Sequence, residues 1–160
     1  MHDPPGKVNP QYSRDPERSP MQWNSSTHAG FCAAEVTPWL PVADDYGIYN
    51  VTEEKQDPRS FLMLTRRLLE LRRAIPALTL GSYQSIEQEN VSCFVYLRQH
   101  NDQRYMVALN FSTQDQVLTV VGHTEGNIVL STSLDREGLI DLSKVHLRSN
   151  EGIFISLEEL

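Results

Sequence analysis

The sequence predicts a mainly β protein: an antiparallel C-terminal β-sandwich preceded by one amphipathic helix and a long irregular loop. Three observations carry this prediction. From Leu80 onward, short runs rich in β-branched and aromatic residues alternate with turn residues. A stretch ending at Ala74 repeats apolar residues at steps of three and four. Before Asp57 neither periodicity is sustained, and prolines recur throughout. The expected organisation is a loop over residues 1–57, a helical connection over 58–78 and a sandwich over 79–160.

The first zone cannot be a long helix. Pro4, Pro5, Pro10, Pro16, Pro20, Pro38 and Pro41 remove amide donors and restrict the residues before them. Its composition also opposes disorder. Met21, Trp23, Phe31, Trp39, Leu40, Tyr46, Ile48 and Tyr49 are too much apolar surface for a solvated tail. An ordered loop laid over another surface is the expectation.

The helix is expected from Pro58 to Ala74, with Asp57 as N-cap and Pro58 in the first turn. Phe61, Leu64, Leu68, Leu71 and Ile75 form one stripe, widened by Leu62 and Leu69. Arg66, Arg67, Arg72 and Arg73 read as a solvated face, the last two suiting the negative end of the helix dipole. Pro76 stops the helix.

Six strands are expected beyond it: 82–87, 92–98, 104–111, 116–121, 127–131 and 152–157. The turns between them fall at Glu89-Asn90, His100–Asp102, Gly122, Gly126, Asp135–Gly138 and Asn150–Gly152. Phe94, Tyr96, Val107, Leu109 and Phe111 alternate as inward positions would. Tyr83 and Tyr105 read as core in the same way, which counts against an exposed aromatic platform for sugar.

The 160 residues are 39% hydrophobic and 22% charged, enough for a core without disulfide staples. A net charge of -7 argues against a nucleic-acid partner and against a basic membrane-surface module. No apolar run is long enough to span a bilayer, and Met1 to Pro10 is too polar for a leader, so a cytoplasmic protein is expected. Cys32 and Cys93 read as buried or half-buried free thiols. His28 reads as a loop hydrogen-bonder, and His100, His123 and His146 show no metal spacing; no cofactor is expected. The sequons at Asn24, Asn50, Asn90 and Asn110 read as chance occurrences.

The most specific string runs from Arg14-Asp15-Pro16-Glu17-Arg18-Ser19-Pro20-Met21-Gln22-Trp23-Asn24 to Ala29-Gly30-Phe31. It resembles the R-D-x-x-R-T-P-M-Q-W-D…A-G-F segment of α-glucosidases in the α-amylase clan, glycoside hydrolase family 13. Asp3-Pro4-Pro5-Gly6 resembles the stretch preceding that motif, and Pro38–Val42, Tyr46 and Asn50-Val51 the loop after it. Leu68–Arg73, Gly81–Tyr83 and Val107–Phe111 resemble the helix, sheet start and N-F strand that follow. Ser19 replaces the usual Thr and keeps its hydroxyl, whereas Asn24 replaces Asp and keeps only the acceptor, which puts a local salt bridge in doubt.

The resemblance implies that residues 1–57 are the loop after strand eight of a (β/α)8 barrel and 58–78 its last helix. The missing surface would then be the barrel. It also implies that the nucleophile, the acid/base and a third carboxylate lie at the ends of earlier barrel strands. Asp15, Glu17, Glu35, Asp44 and Asp45 match none of them, so this chain alone should hydrolyse nothing. Arg18 is the implied substrate-reaching residue, with Arg14 and Asp15 as its supports. The alternative is that both arginines merely pin the loop through bidentate pairs. Trp23 and Trp39 either stack on sugar or anchor the loop, anchoring being the expected role. The implied partners are an α-glucoside oligosaccharide and the missing barrel; the isolated chain should self-associate. Trehalose synthase-like isomerases share the motif, so hydrolysis and transfer both stay open. Two further readings compete: a non-catalytic relative like the heavy subunits of amino-acid exchangers, and a free-standing sandwich that binds sugar or protein.

Overall fold

The computed structural model describes residues 3–87, 92–120, 122 and 124–157. It divides into two compact units, Met1–Met63 and Leu64–Leu160.

The first unit is an ordered loop of short turns. Prolines start each of its first helical pieces: α1 (Pro4–Val8) and 3-10 turns at Pro10–Tyr12 and Pro16–Arg18. Their fixed φ and missing N–H suit the first helical position, so residues that forbid a long helix seed several short ones. A third 3-10 turn, Thr27–Gly30, contains His28 and Ala29 in left-handed conformation, with φ of 55° and 54°. The Ala29 carbonyl accepts from the N–H groups of Trp23 and Asn24, closing the loop on the central motif. Asn24 Oδ1 accepts from the Ser26 N–H at 2.9 Å, retaining the acceptor role left by its departure from Asp. Gly30 lies against that side chain; a Cβ there would stand 2.6 Å from Asn24 Nδ2. Asn50 is buried and caps α2 (Val51–Glu54), its Oδ1 accepting from the Glu53 N–H at 3.1 Å.

Helix α3 runs Phe61–Ala74, starting three residues later than the sequence leads one to expect. Asp57 instead accepts from the Arg59 N–H, closing a turn. The capping acceptor is Ser60 Oγ, 3.2 Å from the Met63 N–H, while the Glu54 carboxylate receives the Leu62 N–H at 3.0 Å.

In the second unit, β1 (Ser82–Ile86), β2 (Cys93–His100), β3 (Gln103–Asn110), β5 (Glu125–Ser131), β6 (Gly138–Asp141) and β8 (Gly152–Ser156) form one antiparallel sheet. Its order is β1-β2-β3-β8-β5-β6; β4 (Gln116–Leu118) and β7 (Val145–Leu147) pair separately. One core, including Val95, Met106, Ala108, Leu118, Val145, Leu147, Ile153 and Ile155, joins residues of both sheets, as a sandwich requires. A second cluster gathers Ile75, Ala77, Tyr105, Leu130 and Phe154 with Leu64 and Leu71 of α3. Tyr105 and Phe154 stack there at 4.9 Å, a pairing worth about 0.5–1.5 kcal/mol beyond burial.

Three expectations are corrected. The alternation in β2 and β3 is real but its phase is reversed. Cys93, Val95, Met106 and Ala108 face the inter-sheet core, while Phe94, Tyr96, Val107 and Leu109 share the other sheet face. Phe111 lies beyond β3 and is 71% exposed. In β2 the smaller Cys93 and Val95, not the aromatic Phe94 and Tyr96, fill the space between the sheets. Gly126 is no turn: it sits in β5, where a Cβ would meet Ile155 Cγ2 at 2.6 Å, so close sheet packing requires the glycine. Strands β6 and β7 were not foreseen; at four and three residues they are too short to display a period. The Glu89-Asn90 turn lies outside the described residues.

Candidate functional site

The site is built around an aspartate. Asp3 follows no regular element, yet its side chain is wholly buried. Its Oδ1 accepts from Arg14 Nη2 at 2.7 Å and Nε at 3.2 Å, and its Oδ2 from the Arg14 backbone N–H at 3.2 Å. Its own N–H donates to Asp15 Oδ1 at 3.0 Å. Arg18 Nη1 lies 3.9 Å from Asp3 Oδ1, beyond hydrogen-bond distance. The short turn Pro16–Arg18 carries the Arg18 side chain to the same carboxylate from a position four residues beyond Arg14.

The electrostatics follow from this geometry. Hydrogen bonding from Arg14 holds the Asp3 carboxyl below its ordinary range, against the opposing effect of burial. The same bond raises the Arg14 pKa. Arg14 is therefore committed to Asp3. Arg18 contributes only longer-range attraction, and its side chain is 44% exposed.

Arg14, Asp15 and Arg18 are thus brought together. What the sequence reading missed is Asp3, the residue that joins them. Its signal was present: it opens the Asp3-Pro4-Pro5-Gly6 match, and an acid preceding two prolines has a constrained backbone. An open depression of about 410 Å³ adjoins this cluster, lined by Pro10, Ser13, Asp15, Pro16, Ser19, Leu40 and Pro41.

The rest of the motif braces the loop. Gln22 Nε2 donates to Asp45 Oδ1 and to the Tyr49 carbonyl, and the Gln22 and Trp23 carbonyls receive the N–H groups of Val51 and Thr52. His28 Nε2 contacts the Ala34 carbonyl at 3.2 Å, a loop hydrogen bond. Trp23 and Trp39 are about half exposed, at 49% and 52%. Cys32 is half-buried and Cys93 buried, both as free thiols.

A second charged cluster belongs to the sandwich. Glu151 is buried and accepts from Arg136, from the Arg148 side chain and from the Arg148 N–H at 2.9, 2.6 and 2.8 Å. Arg148 also grips Asp135, whose carboxyl is thereby pulled down to about 2. Asn110 is buried beneath this corner and donates both amide hydrogens, to the carbonyls of Gln114 and Arg148. An amide so engaged cannot carry a glycan without dismantling the corner, and buried Asn50 stands in the same position. Among the described residues, no cluster of three or more His, Cys, Asp or Glu side chains is arranged to hold a metal. No helix among them is long and apolar enough to cross a membrane.

Residues 5–81 match the family described as Alpha amylase, catalytic domain. The chain is 38% identical over 105 residues to a probable oligo-1,6-glucosidase of Bacillus subtilis, covering 66% of this chain and 18% of that protein. It is 35% identical over 131 residues to Maltase A1 of Drosophila melanogaster, covering 78% of this chain and 22% of the relative. Among solved structures, it is similar to the trehalulose synthase MutB of Pseudomonas mesoacidophila, with a TM-score of 0.80 and 28% identity over 91% of this chain and 26% of that one. The chain therefore spans about a quarter or less of each of these proteins.

Proposed function

Because this chain belongs to the α-glucosidases of the α-amylase family, we propose that it is the C-terminal part of a retaining α-glucosidase acting on short α-glucosidic oligosaccharides. In this reading, residues 1–57 line the substrate pocket of a (β/α)8 barrel, residues 58–78 form its last helix and the sandwich braces it. The acids that break the bond lie outside these residues. Retaining hydrolysis needs two carboxyl groups about 5 Å apart, one attacking the anomeric carbon and one protonating the leaving oxygen.

One observation carries the reading: two arginines approach one buried carboxylate, and only one is committed to it. Arg14 is held by three hydrogen bonds to Asp3, whereas Arg18 stands 3.9 Å away, beyond hydrogen-bond distance, although both side chains are about half exposed. Asp3, Arg14 and Asp15 thus act as the mount, and Arg18 presents its fork of donors to sugar hydroxyls or to a catalytic carboxylate. Asp45 is engaged by Gln22, a loop-bracing role.

In the complete enzyme, Arg18→Ala should lower kcat/KM more than about tenfold with the fold intact. Unchanged kinetics would remove Arg18 from the pocket.

A second reading, isomerisation rather than hydrolysis, has the likeness to trehalulose synthase in its favour. Product analysis separates them: free glucose marks hydrolysis, and a rearranged disaccharide marks isomerisation.

A further inference from the structure

The reversed phase of β2 turns aromatic rings outward. Phe94 and Tyr96 of β2 share the sheet face away from the inter-sheet core, and Tyr83 of β1 joins them there. The ring centroids of Tyr83 and Phe94 lie 5.4 and 5.5 Å from that of Tyr96, tilted against it by 37° and 42°. The three rings form one continuous strip. Tyr83 is 54% exposed and Phe94 41%. Tyr83 is therefore no core residue, and an exposed aromatic platform is present where the sequence led one to expect none.

The strip is amphipathic. Ser85 pairs with Tyr96 in the β1–β2 register, which puts it on the same face, and it is exposed. Tyr83 and Tyr96 bring two hydroxyls, each able to donate and to accept. Among the described residues, no hydrogen bond engages either one. A pyranose ring matches this chemistry. Its C–H groups make an apolar face for a ring to cover, and its hydroxyls need partners to replace their lost water. An aliphatic protein side chain would cover the rings but leave the hydroxyls beside them without partners. A nucleic acid would stack on the rings too, but its phosphates meet a chain of net charge -7. Arg98, opposite Tyr83, directs its Nε to the Ala77 carbonyl.

We propose that Tyr83, Phe94 and Tyr96 form a non-catalytic sugar-binding strip on the sandwich, which takes successive rings of an α-linked glucose oligosaccharide. The choice of α-linked glucose rests on the function proposed above. The strip itself draws on β1 and β2 alone, and it needs neither Arg18 nor the bond-breaking acids.

Isothermal titration of maltoheptaose into the 160-residue chain tests this. The sugar should bind, and Tyr83→Ala and Phe94→Ala should each weaken binding at least about tenfold. Tyr83→Phe, which keeps the ring and loses the hydroxyl, should weaken it less. Arg18→Ala should leave it unchanged. Should Phe94→Ala unfold the sheet, Tyr83→Ala at the more exposed ring gives the same readout. No binding by the folded chain would overturn the strip and leave the proposed function standing, because that function is read from turnover by the complete enzyme. Binding lost with Arg18→Ala but kept with Tyr83→Ala would assign the sugar to the loop and overturn the strip. Binding that follows the rings, in a complete enzyme inert towards α-glucosides, would support the strip and overturn the function.

Discussion

Between Cys93 and Ile155, twelve apolar side chains form one buried interior. Over the described residues up to Met63, the buried apolar side chains are Pro20, Ala29 and Leu40, while Tyr12, Met21, Trp23, Phe31, Trp39, Ile48 and Tyr49 are exposed. The two units differ in what orders them. The sandwich is held by burial, each fully buried Ile, Leu or Met contributing about 1.5–3 kcal/mol. The loop is held by hydrogen bonds and a buried carboxylate, and it displays the apolar residues that a core would hide. Half-exposed tryptophans over a polar frame set this unit apart from the sandwich.

The sharpest way to break this contrast is to truncate one large side chain in each unit. Ile155→Ala should cost about 2–5 kcal/mol in urea unfolding of the 160-residue chain, because it removes a wholly buried side chain. Trp39→Ala, which removes a larger but half-exposed ring, should stay within about 0.5 kcal/mol. Equal losses would mean that the loop has a core of its own.

Glu151→Gln tests whether charge also fastens the sandwich. A buried carboxylate serving two arginines should cost about 2–3 kcal/mol when neutralised, less than a fully buried pair because Arg148 is 43% exposed. A loss below about 0.5 kcal/mol would show that Asn110 and the strand pairing hold this corner unaided.

Gly126→Ala probes sheet packing at smaller scale. Its Cβ would press on Ile155 Cγ2 and on the Ser156 carbonyl, at a cost of about 1–3 kcal/mol. Unaltered stability would show that β5 shifts freely.

The mildest effect is that of pH. Arg148 holds the Asp135 carboxyl at about 2, below its ordinary 3.8. A depressed folded-state pKa stabilises fully above 3.8, and this contribution is lost as pH falls through about 2. The stability gap between the wild type and Asp135→Asn should therefore shrink between about pH 5 and pH 2. A constant gap would uncouple Asp135 from folding.

Much of this architecture was legible in the residues. The β2, β3 and β8 runs, the helix end at Pro76 and the ordered loop all follow from local pattern. The inward face did not, because alternation gives a period but not a phase. Phe94 and Tyr96 outweigh Cys93 and Val95 in size, yet the smaller pair fills the space between sheets. The site was half legible. Arg14, Asp15 and Arg18 stand in one motif, but Asp3 binds Arg14 across eleven residues, a contact no periodicity encodes. Ser60 took the capping role from Asp57 because the Glu54 carbonyl and carboxylate, fixed by α2, meet the start of α3 there.

The most direct measurement is turnover of a chromogenic α-glucoside by the purified 160-residue chain. On the proposed reading, which puts the bond-breaking acids outside these residues, the chain should release no chromophore above buffer. Release that persists through purification and disappears with Asp15→Asn or Asp45→Asn would place a working active centre within these residues, and would contradict the account of residues 1–57 as a lining.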